Sequence, residues 1–366
     1  MNNIKTLGIM VANPILDPNR FQPYAEVASQ EGFDRVIVFN PHSVHLRNKL
    51  VRGYVYNGTR WSRQSIPFPS ITYDIGYYTT PAMTQMVRKI KETRDFPFIT
   101  YGLGNKWRIQ QTLMQDPVME RYLIPTQHLT DPSVLESMVT QHGSLMVKPI
   151  NGKEGKGILR LRSDGEQLIL EENDQPPISF TYGDWNTITD QLRTKGNFLL
   201  QKWVDIRNRE GKIHDVRALM QKNAAGKWQI TGMAVREGEE GRITSNLMDR
   251  GTPYPLDPYL KQQWGRRKAR KIKRELERFA HYLCETVERL YGRRQAELGL
   301  DLAIDRKHRI WLIEVNIKPG KIPFQDVFHL TTPEARVRTP IQYARYVTDH
   351  ELNQPEIAQP QPQLQS

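Results

Sequence analysis

The sequence predicts a chain of mixed α/β and α+β character, and three observations carry that reading. Near the start, the apolar run Leu7-Gly-Ile-Met-Val11 precedes helical spacing from Phe21 to Gln30 and a second apolar run from Val36 to Phe39, the strand–helix–strand order of an α/β unit. In the middle, Leu145-Met-Val-Lys148-Pro149 and Ile158-Leu-Arg-Leu-Arg162 read as strands on either side of the glycine-rich turn Gly152-Lys-Glu-Gly155-Lys156-Gly157. Near the end, Asp301-Leu-Ala-Ile-Asp305 and Trp311-Leu-Ile-Glu314-Val-Asn316-Ile-Lys318-Pro319-Gly320 form two more strands, joined through a turn at Arg306-Lys-His308.

In chain order, residues 1–104 make the small α/β unit. Asn57-Gly58, between Tyr54-Val-Tyr56 and Thr59-Arg-Trp61, predicts a hairpin with a two-residue turn. Met83, Met86, Val87 and Ile90 mark an amphipathic helix. From Asn105 to about Pro125 a connecting helix leads into a second unit, 105–204, where Asp131 caps and Pro132 opens a helix through His142. The glycine hairpin and a helix from Asp184 to Lys195 follow. Residues 205–350 form a larger sheet-bearing unit. Its long helix carries Leu276, Phe279, Ala280, Leu283, Val287 and Leu290 on one stripe, with Cys284 among them, so Cys284 reads as a buried core thiol rather than a nucleophile. Arg266 to Arg274 opens that helix on the side away from the stripe, as a solvated basic face. Residues 351–366 are rich in proline and glutamine and are expected to be a disordered tail. No internal repeat is present.

The chemistry-bearing residues cluster in two of these segments. Alternate strand residues share a face, so Glu314 and Asn316 point one way while Val315 and Ile317 turn the other, and Asp301 joins them if its strand pairs with theirs. A few hard oxygen donors, with phosphates completing the shell, are what Mg²⁺ on a nucleotide takes. The residues alone leave an ordinary hairpin with solvated acids equally open. In the glycine turn, backbone N–H groups can approach an anion closely, and Lys148 would reach the same anion. The segment is not a P-loop or a dinucleotide fingerprint, because neither GxxxxGK[ST] nor GxGxxG occurs and a strand follows the glycines. By themselves they also fit a plain turn.

Taken together and in order, over about two thirds of the chain, these segments resemble the ATP-grasp superfamily of carboxylate–amine ligases. Asn105-Lys106-Trp107, with Leu113 and Ile124-Pro125-Thr126, resembles the family's opening element, whose lysine contacts nucleotide phosphates. Lys148 matches the second nucleotide lysine, and Gly152, Gly155, Lys156 and Gly157 match the phosphate-covering loop. Phe198 to Val204 resembles the strand that bonds adenine through its backbone, which implies contacts from Gln201, Trp203 and Val204, with Asp205 toward the ribose. Arg217, Arg236 and Asn246 resemble residues on the acyl-phosphate side, and Asp301, Glu314 and Asn316 fall on the family's metal ligands.

The resemblance implies an ATP-grasp fold, two α+β lobes clasping ATP, preceded by a small Rossmann-like domain. It also implies ATP and Mg²⁺ as cofactors, phosphoryl transfer to a carboxylate, and attack by an amine. An arginine often found two positions before the first metal acid is Gly299 here, which leaves Arg236 or Arg217 to meet transition-state charge. The Leu7 to Val11 strand, the long Tyr54 to Tyr78 insertion and the Asn316 to Gly320 ending are similar to the endospore coat-associated YheC/YheD family. That likeness implies an association with sporulation and the spore coat. The carboxylate and amine partners are unnamed by the sequence, an amino acid and the side chains of coat polypeptides both being open. A non-catalytic, structural coat component that keeps the fold is the second reading.

Composition excludes several other classes. The chain has 366 residues, 38% of them hydrophobic, enough for two or three compact units. A single cysteine rules out an internal disulfide framework. No apolar run approaches the roughly 18 residues a membrane helix needs, and Met1-Asn-Asn-Ile-Lys lacks a signal-peptide pattern, so a soluble, cytoplasmic protein without membrane insertion is expected. The net charge of +12 favours acidic partners. Without zinc-finger spacing, an RRM-like aromatic motif or a helix-turn-helix, nucleic acid is the least favoured of them.

Overall fold

Strands that are buried on both faces read as continuous apolar runs, and this is how the chain begins. In the computed structural model, which describes residues 4–152, 156–244 and 251–352, β1 (Thr6–Met10) is buried throughout, and the helix α1 (Gln22–Gln30) leads to β2 (Arg35–Phe39), parallel to it. Gly155, Asn246 and the tail 353–366 lie outside the described residues. β3 (Val44–His45), β4 (Leu50–Tyr56), β5 (Trp61–Pro67) and β6 (Ile71–Asp74) complete the sheet, ordered β3-β4-β2-β1-β6 with β5 on β4. The helix α2 (Pro81–Lys91) buries Val87 and Ile90 against one face, with Phe39, Phe96 and Phe98.

The Asn57-Gly58 hairpin is present with a longer turn than predicted. Tyr56 pairs with Trp61, which leaves four residues between the strands. The Asn57 side chain sets this length by accepting from the Thr59 and Arg60 backbone N–H groups at 3.3 and 3.2 Å, a local turn that competes with the tighter one.

The next unit opens with α3 (Lys106–Leu113), started by Asn105, whose side chain accepts from Arg108 N at 2.9 Å. β7 (Thr126–His128), α4 (Pro132–His142), β8 (Ser144–Pro149), β9 (Leu159–Ser163), β10 (Gln167–Glu172), β11 (Ile178–Thr181), α5 (Trp185–Lys195) and β12 (Phe198–Lys202) follow. They make an antiparallel sheet ordered β11-β10-β9-β8-β12-β7. Asp131 caps α4 as predicted, accepting from Ser133 N and Val134 N. One face of the sheet, with Leu145, Val147, Leu161 and Leu200, packs under α4 and α5 through Leu135, Val139, Ile188 and Leu192. The opposite face carries Met146, Lys148 and Gln201, and Trp107 of α3 lies against its His128 edge.

The third sheet repeats this logic. β13 (His214–Lys222), β14 (Trp228–Glu237), β15 (Thr252–Pro255), the helix α6 (Leu256–Tyr291), β16 (Glu297–Ile304) and β17 (Ile310–Asn316) give an antiparallel sheet ordered β15-β14-β13-β16-β17. α6 breaks at Gly265, where φ is +74°. Its long arm buries Leu276, Phe279, Leu283 and Cys284 against Val216, Ala218, Leu300 and Leu302. Cys284 is fully buried, and burial pushes its thiol well up from the ordinary range. Arg266, Arg267, Lys268, Arg270, Lys271 and Arg274 are exposed, as the sequence predicts.

α7 (Pro333–Tyr346) follows the third sheet in sequence but docks on the first unit, where Val337, Ile341 and Ala344 join the core of Ala25, Val27, Val36 and Tyr73. Among the described residues no helix is long and apolar enough to cross a membrane.

Leu300 is fully buried in the core that β16 shares with α6. Leu300→Ala is expected to lower unfolding free energy by about 2–5 kcal/mol, measured by urea titration with an unchanged m-value. A loss under about 1 kcal/mol would mean that this core does not hold the sheet in place.

Candidate functional site

The second and third sheets meet across a cleft on their faces turned away from α4, α5 and α6, and beside it Phe324, Phe328 and Leu330 cover Leu219 and Ala234 of the third sheet. Alternation along β16 sends Leu298, Leu300, Leu302 and Ile304 to α6 and leaves Glu297, Gly299, Asp301 and Ala303 on the opposite face. β17 does the same with one irregularity. Asp301 pairs with Glu314 but Leu302 pairs with Leu312, so Ile313 is an extra residue. Such a bulge re-aims side chains. Leu312 and Val315 both remain in the α6 core while Ile313 and Glu314 both line the cleft. Glu314 and Asn316 share a face, as predicted.

A row of charges crosses the third sheet at this level. Cross-strand partners are Arg236 with Asp215, Arg217 with Asp301, and Asp301 with Glu314. Arg236 donates to Asp215 through two nitrogens, each at 2.6 Å, and its Nη2 also lies 2.9 Å from Asp301 Oδ2. Arg217 donates to Asp301 Oδ1 at 2.5 Å and Oδ2 at 3.1 Å. Burial alone would raise the Asp301 carboxyl, but the two guanidinium groups outweigh it and hold it at about 2. Burial opposes the charge on Arg236 as well, and Asp215 and Asp301 overcome it to hold the arginine firmly protonated.

Two lysines face this row. Lys106, the first residue of α3, has its Nζ 3.6 Å from Glu314 Oε1. Lys148 on β8 donates to Gln201 Oε1 at 2.6 Å, and Gln201 in turn donates to Thr126 Oγ1 at 3.0 Å. This relay fixes the Gln201 amide with its oxygen toward the lysine. Burial pushes the Lys148 ammonium down to about 8, and the nearby Lys106 charge acts in the same direction.

The cleft continues from these charges into an apolar end walled by Ile124, Met146, Ile158, Val204, Ile206, Ile213, Ala303 and Ile313. A flat heteroaromatic group fits such a wall, with its polar extension running toward Lys106, Lys148 and Asp301.

Of the residues predicted for the site, the structure brings Lys106, Lys148, Gln201, Val204, Arg236, Asp301 and Glu314 into one cleft lining, with Arg217 bonded directly behind Asp301. Others lie outside that lining. Trp203 gives its backbone N–H to Ser144 O at 2.9 Å, and its ring lies under the Arg160 guanidinium at 4.3 Å. Asp205 is engaged by Arg207 at 2.7 Å and Arg306 at 2.9 Å. Gly152, Lys156 and Gly157 sit at the described ends of the turn, and Ile158 is the residue beyond it that reaches the lining. Asn316 lies at the end of β17, across from Gly299.

Gly299 has a steric reason for standing where an arginine is often found. A Cβ there would fall 2.7 Å from Pro319 Cβ, so no side chain fits until that loop moves. Arg217 and Arg236 instead reach Asp301 from β13 and β14. Asp215 and Thr244 were not predicted as site residues and line the cleft. The alternation in Asp215-Val-Arg217 was the available signal for Asp215, whereas nothing local in the sequence marks Thr244.

The donor set suits a hard divalent cation. Asp301 Oδ1 accepts one hydrogen bond from Arg217 and keeps a lone pair, and among the described residues the loose Lys106 contact is the ion pair that Glu314 makes. The Asn316 amide lies on the same face. Among the described residues no three His, Cys, Asp or Glu side chains converge, so a cation here would need oxygens from a bound phosphate, as Mg²⁺ commonly does.

Residues 95–347 match the family model described as YheC/D like ATP-grasp. The endospore coat-associated protein YheD of Bacillus subtilis (strain 168) is 26% identical over 371 aligned positions, covering 98% of this chain and 81% of that protein. Among solved structures, D-alanyl-alanine synthetase A from Vibrio cholerae O1 biovar eltor is similar with a TM-score of 0.55 at 14% identity, over 95% of this chain and 99% of that one. The ATP-grasp ligase PsnB, complexed with a minimal precursor, gives a TM-score of 0.52 at 12% identity, over 95% and 99% of the two chains. At these identities the likeness shows the fold, which is the ATP-grasp fold.

A polyanion seated between Lys106 and Lys148 would favour the charged form of Lys148. Its affinity is therefore expected to be flat below pH 8 and to fall as pH rises above 8, where the ligand-free lysine loses its proton. Titration with a fluorescent nucleotide from neutral to alkaline pH checks this. A flat profile, or the same profile in Lys148→Met, would contradict it.

Proposed function

The chain belongs to the YheC/D-like ATP-grasp family, and from that premise we propose that it is an ATP- and Mg²⁺-dependent carboxylate–amine ligase acting through an acyl phosphate, in association with the spore coat. The observation that carries the proposal is the row Arg236, Asp215, Arg217, Asp301 and Glu314 facing Lys106 and Lys148 across one cleft.

The apolar wall and the backbone near Val204 would hold the adenine, and the two lysines would hold the phosphates. A substrate carboxylate oxygen would attack the γ-phosphorus as the β–γ bridging P–O bond breaks and ADP leaves. The amine nitrogen would then attack the acyl carbon, expelling phosphate and giving up its proton to solvent. Mg²⁺, held by Asp301, Glu314 and Asn316, would supply charge neutralisation at the phosphate oxygens. Arg236, fixed at two points by Asp215, would meet the charge that spreads over the transferred group without having to reorganise. Arg217 would keep the Asp301 carboxylate ionised and oriented. No side-chain nucleophile is required by this route.

The amine and carboxylate are assigned by class, an amino acid or the side chains of a coat polypeptide. The coat association rests on the name of YheD. One observation favours the alternative of a structural coat protein that keeps the fold without catalysis: both Asp301 oxygens already accept from arginines. Retention of Glu314 and Asn316 beside it weighs toward activity.

Incubation with ATP, Mg²⁺ and pooled amino acids or coat protein is expected to yield a new amide by mass spectrometry. Glu314→Ala should lower Mg²⁺-dependent ATP turnover by on the order of a hundredfold while leaving the circular dichroism spectrum unchanged. Equal turnover in mutant and parent would remove the metal assignment. Nucleotide binding with no phosphate release, even with spore extract, would favour the structural reading.

A further inference from the structure

The chain leaving β17 is tied to the first unit at two buried points. Asp74, at the end of β6, is almost wholly enclosed, and its Oδ2 lies 2.8 Å from Lys91 Nζ and 2.9 Å from Lys318 Nζ. Its other oxygen accepts from Tyr78 OH at 2.7 Å and Gly76 N at 3.0 Å. Lys318 Nζ also donates to the Gly76 carbonyl, and Tyr77 OH donates to the Lys318 carbonyl at 2.6 Å. Burial would raise the Asp74 carboxyl, but the two lysines outweigh it and hold it below the ordinary range. The neighbouring Tyr73 donates to Glu297 Oε1 at 2.7 Å, and Lys321 Nζ lies 2.7 Å from Glu297 Oε2.

These ties bracket a short loop. Lys318 follows Asn316 by two residues, Lys321 follows it by five, and Pro319 between them lies against the bare α-carbon of Gly299. The direction of the chain beyond Asn316 is thus set by β6 of the first unit and by β16. Asn316 ends its strand, so these ties, together with its pairing to Gly299, fix where its amide oxygen lies.

We propose that Asp74 and Lys318 are positioning residues for the metal-nucleotide site, through which the first unit holds the Asn316 end of the cleft in place. This rests on the ligase reading above and adds to it a requirement for the first unit. A network that merely glued two units together would affect stability without discriminating between free and Mg²⁺-bound nucleotide. A positioning network affects the metal-dependent part of the affinity, as partners that orient ligands do.

The test compares ADP affinity of the full chain in Mg²⁺ and in EDTA. In the parent, Mg²⁺ tightens binding. Lys318→Met is expected to keep the EDTA affinity, because Lys106 and Lys148 are untouched, and to lose about tenfold of the gain from Mg²⁺. Lys91→Met strips the same carboxylate of its other cation without touching the loop, and is expected to lower the melting temperature while keeping the Mg²⁺ gain. Should Lys318→Met fail to fold, Tyr77→Phe, which removes one hydrogen bond at a half-exposed residue, decides the matter and is expected to lose about threefold of the gain. An undiminished gain in a folded Lys318→Met, or an equal loss in Lys91→Met, overturns the inference alone. A parent that gains nothing from Mg²⁺ overturns the ligase reading and this inference with it.

Discussion

The buried carboxylate of Asp301 is the constraint on which the rest of the cleft depends. A charge taken out of water must be paired, and stripping one partner from such a pair is far costlier than the pair is worth. Asp301 meets this demand with two arginines from two other strands, and Arg236 meets its own with Asp215. Register between β14, β13, β16 and β17 is therefore fixed by charge on one face and by the α6 core on the other. A one-residue slip would expose apolar residues on one side and orphan buried ions on the other.

This arrangement explains the uneven division of labour between the lobes. The third sheet supplies most of the charge because its strands are clamped by α6, and the bulge at Ile313 allows Glu314 to join the row without pulling Leu312 out of the core. The second sheet contributes fewer groups, of which Lys148 is held by the Gln201 and Thr126 relay. Burial brings its ammonium down to about 8, so it is charged at neutral pH and an anion beside it would keep it charged to higher pH. Attraction for phosphate comes from the lysines rather than from Arg217 and Arg236, which are already committed to carboxylates.

Much of the architecture was legible because local pattern and tertiary environment agree. The strand–helix–strand opening, the Asp131 cap, the paired acidic strands and the stripe of the long helix each follow from periodicity or capping chemistry. The same is true of Glu314 sharing a face with Asn316. What sequence could not give were features decided by contacts between distant segments. The docking of α7 on α1 joins residues some three hundred positions apart, and the bulge at Ile313 is invisible in a run of apolar residues. The four-residue turn at Asn57 shows a side chain overriding a strong dipeptide signal. In the site, Trp203 and Asp205 stand outside the lining, Trp203 held by Arg160 and the start of β8 and Asp205 by Arg207 and Arg306. The apolar wall drew on residues scattered over both lobes, none of which carries a motif.

On the proposed reading, two ammonium groups on one side and a row of oxygen donors on the other close on a single triphosphate. A crystal structure with a non-hydrolysable ATP analogue and Mg²⁺ tests it most directly. Phosphate oxygens are expected within hydrogen-bonding distance of both Lys106 and Lys148, with the cation between them and the carboxylates of Asp301 and Glu314. A nucleotide bound elsewhere, or phosphates in this cleft with the cation away from both carboxylates, would contradict it.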